Sequence, residues 1–190
     1  FGALPHGTGR QAMKELDGKL VLMTERLLVR RWMPDDLEPL LRIYGDVEAM
    51  RWVGDGVALT PQQAANWLEV TANNYRQRGY GMYTVALRDG GAVIGFCGLV
   101  HPDGQDKPEI KYAFAREHWG HGYASEVVCA LLPYAARQLG LAQIIATVAP
   151  DNAASRRVLS KAGMTLIDTL GDDGSQTLLM SWHAPAATKL

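Results

Sequence analysis

"HWGHGYASEVV", residues 118–128, decides how this chain is read. Gly120 and Gly122 flank His121, and a helix-forming run begins at once after them. Glycine is among the poorest helix formers, so its place against a helix start needs a reason. Two readings fit the stretch. In one it is an anion seat: the glycines let the backbone turn tightly, the first helical N–H groups lack internal partners, and the helix dipole favours a phosphate. In the other it is a glycine-rich turn into a helix and holds nothing.

The flanking sequence supplies the frame. Upstream, "EIKYAFA" (residues 109–115) alternates as a strand, with Ile110, Tyr112 and Phe114 on one face. Before it, "YGMYTVALRDGGAVIGFCGLV" (80–100) reads as a hairpin around Asp89-Gly90-Gly91, and residues 101–108 as a polar loop. The stretch "TPQQAANWLEVTANNYRQRG" (60–79) predicts a helix capped by Thr60, with Pro61 in its first turn, Gln63 completing a capping box and Gly79 ending it. Its core face is Ala64, Trp67, Leu68, Thr71 and Tyr75. A shorter helix opens at Pro34-Asp35-Asp36 and ends near Gly45, behind a first strand at "ERLLVRRW" (25–32).

Downstream, the helix opening at Tyr123 runs to Leu139 and ends at Gly140; Pro133 inside it predicts a kink. "AQIIATVA" (142–149) reads as a strand buried on both faces. "NAASRRVLSKAG" (152–163) is a compact helix capped by Asn152, and "MTLIDTL" with "QTLLMSWH" forms a closing hairpin around Gly171–Gly174. Strands and helices alternate in the manner of an α/β protein with a mixed sheet.

Composition narrows the class. The 190 residues are 47% hydrophobic and 21% charged, a balance that suits a folded domain with its own core. A net charge of −1 carries no case for a nucleic-acid partner. No apolar run approaches the roughly 18 residues of a membrane span, so no membrane partner is expected. Cys97 and Cys129 lie in apolar stretches and read as buried reduced thiols of a cytoplasmic protein. The five histidines are scattered without metal-ligand spacing, so no metal is expected. Residues 1–18 lack the apolar block of a signal peptide and are expected to be a disordered leader or remnant. A single domain is expected over 19–184, with a flexible tail at 185–190.

Two common phosphate motifs are absent from the quoted stretch. A P-loop needs Lys-Ser/Thr after its second glycine. A dinucleotide fingerprint needs a third glycine where Ser125 stands, and a place beside the first strand.

Taken together, "TERLLVRRW", "YTVALRDGGAVIGFCGL", "EIKYAFAREHWGHGYASEVV" and "NAASRRVLSKAGM" resemble, in this order, the successive motifs of the GNAT superfamily of N-acetyltransferases, in particular its RimJ/RimL-like branch. The resemblance covers residues 24–182. It implies an α/β (α+β) GNAT fold, with a mixed sheet of about seven strands, about four flanking helices, and a splayed pair of central strands holding acetyl-CoA. It implies transfer of the acetyl group to a primary amine, on a protein N-terminus or a small molecule, by direct attack in a ternary complex. The alternative is a catalytically silent acyl-CoA-binding module. A monomer or homodimer is expected.

Site residues follow from the same resemblance. The pyrophosphate loop maps to Trp119, Gly120, His121, Gly122, Tyr123, Ala124 and Ser125, with Trp119 in place of the usual Gln or Arg. An oxyanion donor is expected among the backbone N–H groups of Tyr112, Ala113 and Phe114. Many members stabilise the leaving thiolate with a Tyr seven residues after the capping Asn; here that position is Leu159. Ser155, three residues after Asn152, takes the role instead, or else only hydrogen-bonds pantetheine or its own helix. Glu109 is the candidate base, its plainer reading being a solvated carboxylate at a strand end. His101 and His118 are minor candidates on loops. Arg116, Arg156, Arg157 and Lys161 are candidate partners for the phosphates of CoA, or ordinary surface charges. Trp52 and Tyr80 are candidates for the acceptor pocket, and Lys111 stands where the branch often has Gly.

Overall fold

The computed structural model describes residues 18–53, 56–171 and 176–186. Residues 1–17 of the expected leader, residues 172–174 of the expected turn and residues 187–190 of the expected tail lie outside the described residues. One eight-stranded sheet runs through the domain in the order β1-β2-β3-β4-β5-β6-β8-β7. Its strands are β1 (Leu20–Met23), β2 (Leu27–Arg31), β3 (Met82–Leu87), β4 (Val93–Val100), β5 (Glu109–Phe114), β6 (Gln143–Val148), β7 (Thr165–Leu170) and β8 (Thr177–His183).

The strand total exceeds the expected seven because Leu20–Met23 folds back on β2 as an antiparallel hairpin. Among the helices, α1 (Leu37–Tyr44) follows a single 3₁₀ turn at Pro34–Asp36. The additional α2 (Val47–Met50) is capped by the Asp46 carboxylate, which accepts from the N–H groups of Glu48 and Ala49. α3 (Pro61–Arg78) has the expected capping box between Thr60 and Gln63. α4 (Tyr123–Leu139) is continuous, with Pro133 inside it, and α5 (Ala153–Lys161) starts from the Asn152 cap.

Alternation along the strands sorts the core into two layers. Ile110 and Phe114 of β5 join Leu27, Val85, Ile94 and Ile144 under Val127, Leu131 and Ala135 of α4 and Leu159 of α5. Ala113 faces the other way, with Phe96 and Met82, under Leu40 and Tyr44 of α1, Met50 of α2 and Ala64 of α3. The thiols differ in setting: Cys97 is buried under α4, while Cys129 is half-buried.

Between β5 and β6 the sheet opens. These strands run parallel and share one register pair, Glu109 with Ile145, whereas β4–β5 and β6–β8 each share six. Ile145 N donates to the Pro108 carbonyl at 3.0 Å, one rung of a parallel ladder. At the next rung Thr147 N donates to the Glu109 carboxylate (Oε1, 3.1 Å) instead of to a β5 carbonyl. The side chain takes the place of the backbone, and the strands part beyond it.

The entry into the α1 layer is fixed by a buried ion pair. Arg30 meets Asp36 through two parallel bonds of 2.7 Å, and Asp36, 1% exposed, also accepts from Thr84 Oγ1 and Met33 N at 2.8 Å each. Removing one partner leaves the other charge buried alone. Asp36→Ala therefore costs about 3–5 kcal/mol of stability, measured as a fall in urea midpoint at unchanged m-value.

Candidate active site

The loop between β5 and α4 is built by its own short contacts. Trp119 donates its indole N–H to the Phe114 carbonyl at 2.7 Å, tying the loop to the end of β5. Gly120 and Gly122 take positive φ of 76° and 81°, which side-chain-bearing residues rarely adopt. A Cβ on Gly120 would meet nothing within 4 Å, and one on Gly122 only Arg26 Nη2 at 3.6 Å. Gly122 is also the N-cap of α4, which no side chain caps. The first turn of a 17-residue helix thus presents its backbone donors to open space, the geometry of a phosphate seat.

A clamp from the opposite end of the chain holds this seat. Arg26 Nε donates to Glu126 Oε2 at 2.7 Å, Arg26 N to Oε1 at 2.9 Å, and Nη1 to the His121 carbonyl at 3.0 Å. Thr24 Oγ1 adds a bond to Glu126. The guanidinium lies 4.4 Å from the centre of the Tyr123 ring, on which His121 also stacks. Partial burial pushes the Glu126 carboxyl up, but the bonds from Thr24 and Arg26 and the Arg26 charge outweigh it and hold the carboxyl below its ordinary range.

On the facing side, Asn152 Oδ1 accepts from Ser155 N at 3.0 Å and sets the first turn of α5. Ser155 Oγ lies 2.6 Å from Tyr112 Oη, so a hydroxyl pair bridges α5 to β5. Burial raises the Tyr112 phenol well above its ordinary value, with the Ser155 bond opposing.

These parts surround one cleft of about 1150 Å³ at the parting of β5 and β6. Tyr112, Ala113, Phe114, Trp119, Gly120, Gly122, Tyr123, Ala124, Ser125, Asn152, Ser155 and Arg157 all line it. His121 does not, because its ring is turned onto Tyr123 and its carbonyl holds Arg26. Glu109 does not line it either, and it is no solvated carboxylate. It is 2% exposed, its Oε1 engaged by Lys111 Nζ at 2.5 Å and by the N–H and hydroxyl of Thr147. Lys111, not Glu109, meets the cleft.

Among the minor candidates, His118 and Trp52 line the cleft. His101 and Tyr80 instead bond each other at 2.8 Å. Arg116 pairs with Asp46 at 2.6 Å, and Arg156 donates to the Pro150 carbonyl. The Thr24–Arg26–Glu126 clamp has one sequence signal, an acid in the first turn of α4. Its partners, about 100 residues away along the chain, have none.

Residues 26–165 match the model of a family described as an acetyltransferase (GNAT) domain. The chain belongs to the GNAT acetyltransferases. It is similar to the uncharacterized N-acetyltransferase YoaA of Bacillus subtilis, 32% identical over 145 residues, covering 75% of this chain and 81% of that one. Among solved structures it resembles a GNAT-family acetyltransferase from Bacillus anthracis, with a TM-score of 0.72 at 25% identity over 86% of this chain and 98% of that one. RimL, described as a ribosomal L7/L12 alpha-N-protein acetyltransferase and solved with coenzyme A, shares the fold, with a TM-score of 0.73 at 15% identity over 87% of this chain and 98% of that one. This GNAT chain is accordingly an acetyl-CoA-dependent acyltransferase.

Two outcomes follow for this GNAT site. Gly122→Val forces a β-branched residue into a left-handed backbone at a strain of about 1–2 kcal/mol, which lowers Tm by roughly 2–8 °C. The forced backbone change also displaces the N–H groups that follow it, so calorimetric titration with CoA should show Kd rising by about tenfold or more. The Glu126 carboxyl has its pKa depressed on folding, so its contribution is present above the unfolded value, about 4.3, and is lost as pH falls through the folded one. The stability gap between the parent and Glu126→Gln should therefore hold from neutral pH to about 5 and close below about 4 in acid titrations.

Proposed function

We propose that this enzyme acetylates a primary amine by direct attack within a ternary complex, and that it belongs to the RimJ/RimL-like branch of its family. One observation carries the mechanism: the open helix end at Gly122 and the Tyr112–Ser155 hydroxyl pair face the same cleft, where β5 has left β6. The Asn152-x-x-Ser155 spacing and Trp119 ahead of the loop support the branch. The free thiols Cys97 and Cys129 support a reducing cytoplasm as the compartment.

Acetyl-CoA, when bound, supplies the acetyl group and leaves through its sulfur. The backbone N–H groups of Tyr123, Ala124 and Ser125, in the turn that opens after Gly122, hold the pyrophosphate, and Arg157 answers its charge. The cleft edge of Tyr112, Ala113 and Phe114, with no β6 partner beyond Glu109, offers the donor for the developing oxyanion. As the amine nitrogen bonds the acetyl carbon and the carbon–sulfur bond breaks, the amine gives up one proton to water in the cleft, and the departing sulfur would accept a hydrogen bond from Ser155 and take its proton from solvent. A hydroxyl has a single proton, so with the Tyr112 phenol donating to Ser155 Oγ, the Ser155 proton is free for the cleft. Glu109 is not given the role of base, because its carboxylate is occupied by Lys111 and Thr147.

A bond made late in the reaction lowers kcat when lost and leaves ground-state binding nearly intact. Ser155→Ala should cut kcat by about 10- to 100-fold in a thiol-release assay, with a much smaller change in acetyl-CoA affinity. An unchanged kcat with weakened affinity makes Ser155 a binding residue only.

A further inference from the structure

We propose that Lys111 selects the acceptor: the preferred amine carries its own carboxylate beside an apolar or aromatic body, in the manner of a free amino acid. This rests on the acetyl-transfer reading and adds the chemical class of the second substrate.

Alternation along β5 places Lys111 on the Ala113 side of the sheet, opposite Tyr112 and Ser155. The cleft therefore has two sides. One holds the helix end of α4 and the hydroxyl pair; the other lies toward the α1–α3 layer, and Lys111 lines it. Its ammonium bonds Glu109 Oε1 at 2.5 Å and Thr147 Oγ1 at 3.0 Å. An ammonium has three N–H donors. These two bonds fix the nitrogen in place and leave a third donor for the cleft, where the side chain is 40% exposed.

Glu109 thus works through Lys111, as a positioning residue for a fixed cation. A carboxylate arriving there gains a charge-assisted bond, while a second ammonium meets repulsion. The walls favour an apolar body. Trp32, Tyr44, Trp52 and Trp67 line this end, and Tyr44 packs edge-on to Trp67 with centroids 5.1 Å apart. The Trp32 indole N–H is buried without a hydrogen-bond partner among the described residues. Arg51, held to Glu48 by a loose 3.6 Å contact, adds positive charge at the rim.

The test compares three acceptors with acetyl-CoA saturating: L-phenylalanine, phenethylamine, which has the same ring and amine without the carboxylate, and spermidine. The parent should show kcat/KM for L-phenylalanine at least about tenfold above that for either amine. Lys111→Arg should keep the preference. The double variant Glu109→Gln/Lys111→Met removes both charges and leaves neither buried alone. It should bring the ratio of L-phenylalanine to phenethylamine close to one, with the loss in KM rather than kcat.

Equal or better use of phenethylamine or spermidine by the parent overturns the proposal, and so does a ratio that survives in the double variant. Acetyl-CoA binding measured alongside separates the two levels. Binding with no transfer to any of the three amines overturns the selectivity proposed here and leaves the acetyltransferase reading standing for other amines. Absence of binding overturns both.

Discussion

The carboxylate of Glu109 stands where a rung of backbone should be. Parallel strands β5 and β6 begin a ladder at Pro108 and Ile145, and the next donor, Thr147 N, is taken by that side chain. Backbone donors and acceptors in a protein interior must find partners, so a sheet does not open without a substitute for the lost bonds. A buried carboxylate can serve as one because it accepts several donors at once, and Lys111 balances its charge. The cleft and the open edge of β5 begin where this replacement stands.

The two core layers then decide what each side of the cleft contains. Because strand side chains alternate, neighbours on β5 serve opposite faces. Tyr112 reaches Ser155 under α5, while Lys111 turns toward the layer that carries Tyr44 on α1 and Trp67 on α3. The two sides of the cleft therefore present walls of different chemistry at one point in the sheet. The seat at the start of α4 is held by Arg26, at the edge of β2, through a carboxylate on the first turn of that same helix. Side-chain groups fix the loop from behind, and its backbone N–H groups stay free on the cleft side.

Much of the domain is legible in local signals. The capping box at Thr60 and Gln63, the alternation of β5 and the glycines before α4 act over a few residues, and each forms in the structure. Leu20–Met23 is a strand only because β2 lies beside it; four apolar residues carry no period of their own. The Asp46 cap of α2 is equally hidden, since one turn of helix leaves no repeat to detect.

The sequence by itself determined the order of elements, the glycine turn into α4, the Asn152–Ser155 cap and the absence of a hydroxyl at Leu159. Those depend on backbone conformations and spacings that neighbouring residues impose. Tertiary structure alone decided that Glu109 is buried and occupied, that Lys111 meets the cleft in its stead, and that Tyr112 touches Ser155 from 43 positions away. The availability of a side chain for chemistry is set by what crosses the sheet to meet it, and pairing between distant strands is not written at either position.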